Sequence, residues 1–245
     1  MASATALAIA DLANGSAIAS YSWKDRGVAP RGYIRGMAVM FGRVYCKMNA
    51  NRDAASEMGM AVDPGDTATD ALAWYASEFS DLGMDNSQAG VDVLRHLFVL
   101  LTGLGMRESS GAFCTGRDQS AENKSAATAE AGLFQVSYNS IGTHFLLGAL
   151  FEQYKGSTDF RDIFSDGVSC GADDWQNWGT GTGVDFQALT KDCPAFAVEY
   201  GALVVRKDRR YSGAINSKTV ELKTECDDLF KAVCSYIDTN GITEV

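Results

Sequence analysis

Residues 91–111 decide the fold, and their sequence is VDVLRHLFVLLTGLGMRESSG. Positions 91–104 are the most apolar segment of the chain and predict a central buried helix. Glu108 stands at the end of this helix, and the small residues Ser109, Ser110 and Gly111 follow it. We therefore expect a fold arranged around this helix, with a carboxyl group at its C-terminal end.

Further helices are predicted on both sides of this segment, where apolar residues recur at helical spacing. Residues 1–20 predict a helix with Ala6, Ile9, Leu12 and Ala13 on one side. The other predicted helices cover residues 32–47, 67–82 with Asp66 as N-cap, 140–154, 193–206 and 225–238. Residues 62–66 and 165–183 are expected to be loops.

Residues 109–137 depart from the helical pattern. Glycines and a polar stretch are followed by Thr128 to Val136, with Gly132 in the middle, which favours a short antiparallel hairpin. The expected fold class is therefore mainly α (α+β), a helical domain with one small antiparallel hairpin after the central helix. We expect one domain over residues 1–245, with residues 1–85 as an N-terminal helical extension packed on a core of residues 86–245.

Composition restricts the functions that the chain can have. Acidic residues outnumber basic ones by 31 to 21, and the net charge of −10 sets nucleic acid and anionic lipid aside as partners. No apolar run is long enough to span a membrane. Without a Cys-x-x-Cys pair, and with only two histidines, the sequence offers no local zinc site, and it implies no other metal or cofactor.

The six cysteines leave the compartment open. An even number is compatible with disulfides in an exported protein, and buried thiols in a reducing cell are equally compatible. The sequence does not choose among the possible pairings. Residues 1–20 have no basic segment before the apolar one, which Asp11 interrupts, so no signal peptide is visible.

Glu108 is the first candidate for chemistry. A carboxyl group at the end of an apolar helix is partly desolvated, and the negative end of the helix dipole disfavours its charge. Both effects raise its pKa, as a general acid near neutral pH requires. Asp118, Glu122 and Glu130 follow in the predicted hairpin. An acid that faces a second carboxylate across a groove is the arrangement that splits a glycosidic bond.

Two motifs in this region resemble the lysozyme superfamily. They are Glu108-Ser109-Ser110-Gly111 and Ala131-Gly132-Leu133-Phe134-Gln135-Val136-Ser137. Goose-type lysozymes and soluble lytic transglycosylases similarly carry Glu-Ser followed by Gly-Leu-Met-Gln. The resemblance lies in the sequence over part of residues 91–150. In the rest of the chain it is limited to the predicted arrangement of helices. It implies a lysozyme-like fold and cleavage of β-1,4-linked amino-sugar polymers, with peptidoglycan first, which would make the chain a muramidase.

The resemblance also implies roles for single residues. Glu108 looks like the catalytic acid, and Ser109 would support it or face the substrate. Gly132 and Gln135 look like the wall of the cleft, where sugar N-acetyl and hydroxyl groups are bound. Ser137 stands where goose-type enzymes tend to have an aspartate; its hydroxyl can hold a water molecule but cannot act as a base.

Because Ser137 replaces the aspartate and cannot act as a base, the candidates for the base are Glu130 and Asp118. Glu130 lies two residues before Gly132, on the strand expected to line the cleft. Asp118 lies at the turn of the hairpin, as in phage-type lysozymes. Glu130 is slightly preferred, and both are kept as candidates.

Aromatic and amide side chains extend the predicted substrate-binding set. Tyr138 and Asn139 follow the hairpin, where members of the superfamily contact substrate. Trp175 and Trp178 offer indole rings for stacking on sugars, although buried structural tryptophans are commoner. Tyr200 is either a neighbour of Glu108 or a core aromatic with a bonded hydroxyl. Its surroundings match the Tyr-Asn-Ala-Gly segment of transglycosylases poorly, which favours hydrolysis.

Alternatives stay open within and outside this class. The net charge of −10 fits peptidoglycan poorly and keeps chitin or chitosan as alternative polymers, and lytic transglycosylases have the same fold. A non-catalytic glycan-binding protein and a structural component are the alternatives outside enzymes. If the resemblance holds, we expect a secreted or periplasmic monomer, whereas the sequence alone also permits a cytoplasmic protein.

Overall fold

The chain is mainly helical in the computed structural model, which describes residues 2–119 and 125–245. Helices hold 57% of the residues and strands 3%, which confirms the predicted fold class. The α-helices are α1 (Ala4–Asn14), α2 (Arg31–Asn49), α3 (Asp53–Met58), α4 (Ala71–Trp74), α5 (Ala76–Asp81), α6 (Val91–Ser109), α7 (Phe145–Tyr154), α8 (Arg161–Phe164), α9 (Thr182–Asp192), α10 (Pro194–Lys207), α11 (Gly213–Asn216) and α12 (Thr224–Thr239). Short 3₁₀-helices cover Ala17–Ser20, Tyr138–Thr143 and Arg209–Tyr211.

Two small antiparallel strand pairs accompany these helices in the described residues. The strands are β1 (Ser22–Trp23) with β2 (Gly27–Val28), and β3 (Glu130–Ala131) with β4 (Val136–Ser137). In the second pair Glu130 lies opposite Ser137, and Ala131 lies opposite Val136. This second pair is the hairpin predicted after the central helix, whereas the β1–β2 pair was not predicted.

Helix α6 lies at the centre of the hydrophobic core. Phe98 of α6 contacts Phe41 of α2 and Phe230 of α12, with ring centroids 5.4 and 5.8 Å apart. The same core continues from Ala6 in α1 to Ile237 in α12. Full burial of one such ring stabilises a fold by roughly 1.5–3 kcal/mol, so this contact holds α6 firmly in place.

The C-terminal end of α6 is held by α2. The buried hydroxyl of Tyr33 in α2 donates to the carbonyl oxygens of Leu101 and Thr102, at 3.2 and 2.7 Å. Gly105 permits this approach, because a Cβ atom at that position would collide with the Tyr33 side chain. The helix ends where Ser110 adopts a left-handed conformation, with φ of 53°. Glu108 therefore lies in the last turn of a rigidly held helix.

The single helix predicted for residues 67–82 is wrong. The chain forms α4 and α5 there, because Tyr75 leaves the helical range with ψ of 16°. Asp70, not Asp66, is the N-cap of α4. Asp66 instead accepts hydrogen bonds within the preceding turn.

Other predicted bounds are corrected in a similar way. Residues 140–154 are interrupted at His144, which is extended and accepts the Leu146 N–H as the cap of α7. The N-terminal helix ends at Asn14, and the predicted loop over 165–183 ends where α9 begins at Thr182. Within the described ranges, no helix is both long and apolar enough to cross a membrane.

Candidate active site

Glu108 is half-buried in the last turn of α6. Its Oε1 atom accepts a hydrogen bond from the backbone N–H of Ala214 at 3.3 Å, and the Ser212 hydroxyl also donates to the carboxyl group. Burial raises the pKa of Glu108, while these two donors and the charges of Arg107 and Arg26 act in the opposite direction. The net shift is upward, which is the direction that a general acid requires.

Glu130 stands on β3 and provides a second carboxyl group. Desolvation, together with the smaller effects of the negative charges of Glu108 and Asp118, raises its pKa to about 7. Glu130 as a residue is exposed in surface area, so water screens part of this effect. The charges of Glu108 and Asp118 both act on Glu130, which places each of them within about 10 Å of it, the range over which charges interact in salt solution.

The negative charges of Glu108 and Glu130 repel each other, so over an intermediate range of pH the two carboxyl groups hold one proton between them. Glu108 has hydrogen-bond donors and guanidinium groups that stabilise its charged form, whereas both charges acting on Glu130 are negative. The proton in the free protein therefore favours Glu130. Asp118 is exposed beside this pair, and Glu122 lies outside the described residues.

Ser109 and Gly132 join the end of α6 to the β3–β4 hairpin. The Ser109 hydroxyl is buried and bonds to the carbonyl oxygens of Gly105 and Leu133, at 2.9 and 2.8 Å. Gly132 has φ of +76°, and a Cβ atom there would lie 2.9 Å from the Thr190 carbonyl oxygen. The hairpin loop therefore packs tightly against α9, and Ser109 supports the position of Glu108 rather than facing outward.

Gln135 and Ser137 are also turned into the protein. The Gln135 amide donates to the carbonyl oxygen of Gly132 at 2.9 Å, which braces the hairpin loop. The Ser137 hydroxyl donates to Oδ1 of Asn139 at 2.6 Å. Both residues are buried. Through these internal bonds they hold the β3–β4 hairpin, which carries Glu130.

The prediction that Tyr200 contacts substrate is corrected by its position. Tyr200 is fully buried, and its hydroxyl bonds to the Ser140 hydroxyl at 2.8 Å, so it is a core aromatic. Tyr138 is half-buried against Phe151 and Phe186. Asn139 is exposed after the hairpin, where a ligand can reach it.

The two tryptophans of the loop before α9 differ in exposure. Trp178 is 42% exposed, and the Arg117 guanidinium lies 4.2 Å from its ring centroid. Since Arg117 precedes Asp118, this indole lies on the same side of the molecule as the hairpin carboxylates. Trp175 is half-buried; its ring centroid lies 6.2 Å from that of Phe113 in an edge-to-face contact, and the Arg161 guanidinium lies over the Trp175 ring. Trp178 is thus the better surface for stacking on a sugar.

A disulfide and a buried lysine fasten this loop to the rest of the site. A disulfide joins Cys114, after α6, to Cys170. The buried Lys191 of α9 donates to the carbonyl oxygens of Asp174 and Gln176, at 2.8 and 2.9 Å. Burial lowers the Lys191 pKa to about 8, while nearby carboxylates raise it. The remaining cysteines are free thiols, namely Cys46, Cys193, Cys226 and Cys234.

Sequence reasoning missed the two residues that donate hydrogen bonds to the Glu108 carboxyl group. Ser212 and Ala214 belong to a segment to which the sequence analysis gave no role. Ser212 before Gly213 is a typical N-cap pattern, and it does cap α11. That pattern reveals a helix start but not its contact with Glu108. In the part of the chain that is described, no three His, Cys, Asp or Glu side chains are grouped as metal ligands.

Comparison with known proteins found no similarity that adds to these observations. No protein-family model, no curated protein and no solved structure matches the chain. The resemblance to the lysozyme superfamily therefore rests on the motifs at residues 108–111 and 131–137. The structure adds a mainly helical fold in which three carboxyl groups interact between the end of α6 and the β3–β4 hairpin.

Proposed function

We propose that the chain is a glycoside hydrolase that cleaves β-1,4-linked amino-sugar polymers, with peptidoglycan as the first substrate. The observation that carries this proposal is the interaction of Glu130 with the charges of Glu108 and Asp118. Hydrolysis of a glycosidic bond needs one protonated and one charged carboxyl group around the bond. A pair that shares one proton near neutral pH meets this requirement.

In the proposed mechanism Glu108 protonates the bridging oxygen, while Glu130 activates water or stabilises the oxocarbenium-like transition state. Glu108 receives the acid role because α6 fixes its position and because its motif resembles that of the superfamily. The proton of the free protein favours Glu130, so this mechanism requires that substrate binding shifts the proton to Glu108. Asp118 is the alternative second carboxylate.

A second carboxylate beside the acid favours hydrolysis over the transglycosylase reaction, in which a hydroxyl of the substrate attacks and no base is needed. The net charge of −10 supports chitosan, a cationic polymer, as a second candidate substrate. The disulfide supports an oxidising compartment, either outside the cell or in the periplasm.

The decisive test is Glu108→Gln, measured by release of reducing ends from peptidoglycan and from chitosan. We expect a loss of about 10²–10⁴-fold in turnover, the range for removal of a general acid. The amide oxygen can still accept the Ala214 N–H, so the fold should persist. Glu152→Gln, on an exposed residue of α7, is the matched control. Retention of most turnover by Glu108→Gln would end the assignment.

An aryl glycoside with an activated leaving group separates the two roles. Such a substrate needs little protonation, so the variant that lacks the acid regains activity on it, while the variant that lacks the second carboxylate does not. We expect recovery for Glu108→Gln and none for Glu130→Gln. The opposite result would reverse the two roles.

A further inference from the structure

A cavity of 310 Å³ lies beside the C-terminal end of α6. Its lining includes Arg107, the residue that precedes Glu108 in the sequence. Its walls come from the β1–β2 turn, from α6, and from the segment after α11. Six charged residues contribute to its lining, namely Lys24, Asp25, Arg26, Arg107, Lys218 and Glu221. We call this cavity the lateral pocket.

The lateral pocket carries a net positive charge, because four of its six charged lining residues are basic and one of the two acidic ones, Glu221, is paired. Glu221 accepts the Lys24 backbone N–H at 2.7 Å and pairs with the Lys223 ammonium at 3.2 Å, outside the pocket lining. Within the described ranges, the side chains of Lys24, Arg26 and Arg107 form no ion pair. An anion in the pocket would therefore meet the three basic side chains of Lys24, Arg26 and Arg107, against one further acidic side chain in the lining, that of Asp25.

The lateral pocket and Glu108 share their walls. The Arg26 guanidinium donates to the Arg107 carbonyl oxygen at 2.5 Å, which fastens the β1–β2 turn to the last turn of α6. The charges of both arginines reach Glu108 and lower its pKa. Lys218 and Glu221 follow α11, whose start binds the Glu108 carboxyl group. A substrate bound at Glu108 thus lies next to this pocket.

We propose that the lateral pocket binds a carboxylate of the peptide attached to the glycan, and so selects peptidoglycan over chitin and chitosan. This inference rests on the proposed function. Chitin has no carboxylate, and chitosan is cationic and would be repelled. A peptide of three residues spans roughly 10 Å, which suffices to leave the scissile bond and enter a neighbouring pocket. The chain has a net charge of −10 and as a whole repels an anionic polymer, so binding such a polymer requires a locally positive surface such as this pocket.

The test compares soluble peptidoglycan fragments with the same fragments after their carboxylates have been converted to methylamides. The wild type should have a higher kcat/KM on the acidic fragments, and 1 M NaCl should reduce this preference because salt screens exposed charges. Lys24→Glu should lower the ratio of kcat/KM, acidic over amidated, by about fivefold, as for one exposed charge contact. Lys155→Gln, on the exposed residue that follows α7, controls for loss of a remote charge.

The outcomes separate this inference from the proposed function. Cleavage of neither fragment by the wild type overturns the proposed function, and the inference with it. Cleavage of both with equal kcat/KM, or a ratio unchanged by Lys24→Glu, overturns the lateral pocket alone. Circular dichroism and thermal unfolding of Lys24→Glu show whether the β1–β2 turn is intact. A lower ratio in a folded variant supports the carboxylate site.

Discussion

The Cys114–Cys170 disulfide should contribute strongly to the stability of the fold around the candidate site. It joins residues 56 positions apart. If a cross-link acts by restricting the unfolded chain, a loop of this length is worth roughly 4 kcal/mol. In a domain of this size 1 kcal/mol corresponds to about 2–4 °C, so loss of the bond should lower Tm by roughly 8–16 °C.

The double variant Cys114→Ala/Cys170→Ala removes the bond without leaving a free thiol, and urea unfolding measures the loss. Cys234→Ala is the control, because Cys234 is a free and half-buried cysteine. Cys114 is fully buried, so its truncation also leaves a small cavity. Reduction of the wild type with dithiothreitol separates the two effects. A Tm that reduction does not change, with a double variant as stable as the control, would refute the reasoning.

Two further predictions concern protonation. Activity should fall as the pH rises through about 7, because the carboxyl pair then loses its proton. In Glu130→Gln the residual activity should fall at lower pH, because the pair has lost the carboxyl group whose pKa is about 7; an unshifted pH–rate profile contradicts this. The pKa of buried Lys191 is about 8, whereas a lysine in water has a pKa of 10.5, so between pH 8 and pH 10.5 the folded chain binds fewer protons than the unfolded chain. The stability of the wild type relative to Lys191→Met should therefore rise across this interval, by up to about 3 kcal/mol. Urea titrations at pH 7 and pH 10 without such a gain would contradict the account of Lys191.

The central helix and its terminal carboxyl group could be predicted because their signals are local. The apolar content of residues 91–104 predicts a buried helix, and α6 covers the whole of that segment. The glycine and the β-branched residues of the 128–136 segment also predict the β3–β4 hairpin. Glycine adopts positive φ readily, as it does at Gly132, so the signal for this turn lies in the residue itself. The direction of the Glu108 pKa shift followed from the same local burial.

The contacts that complete the site could not be predicted, because they join distant parts of the chain. The Ala214 N–H that binds Glu108 is 106 residues away in sequence, and the Arg26 guanidinium that binds the Arg107 carbonyl is 81 residues away. Tyr200 shows the same limit. Its position in the sequence is compatible with a core aromatic and with a residue beside Glu108. The packing of α10 buries the side chain, and this packing is not visible in the sequence.

Ser212 and Ala214 are two of the groups that set how the carboxyl pair shares its proton, and the charges of Arg107 and Arg26 act in the same direction. Ser212 and Ala214 both donate to Glu108 and oppose the effect of burial on its pKa. If a substrate draws this segment away from Glu108, the charged form loses two donors, and the proton moves from Glu130 toward Glu108. An acid at Glu108 is then a state that substrate binding creates. The apolar end of α6 desolvates Glu108 and raises its pKa, while a segment distant in sequence supplies donors that lower it. A local pattern therefore predicts the position of the proposed acid but not its protonation state.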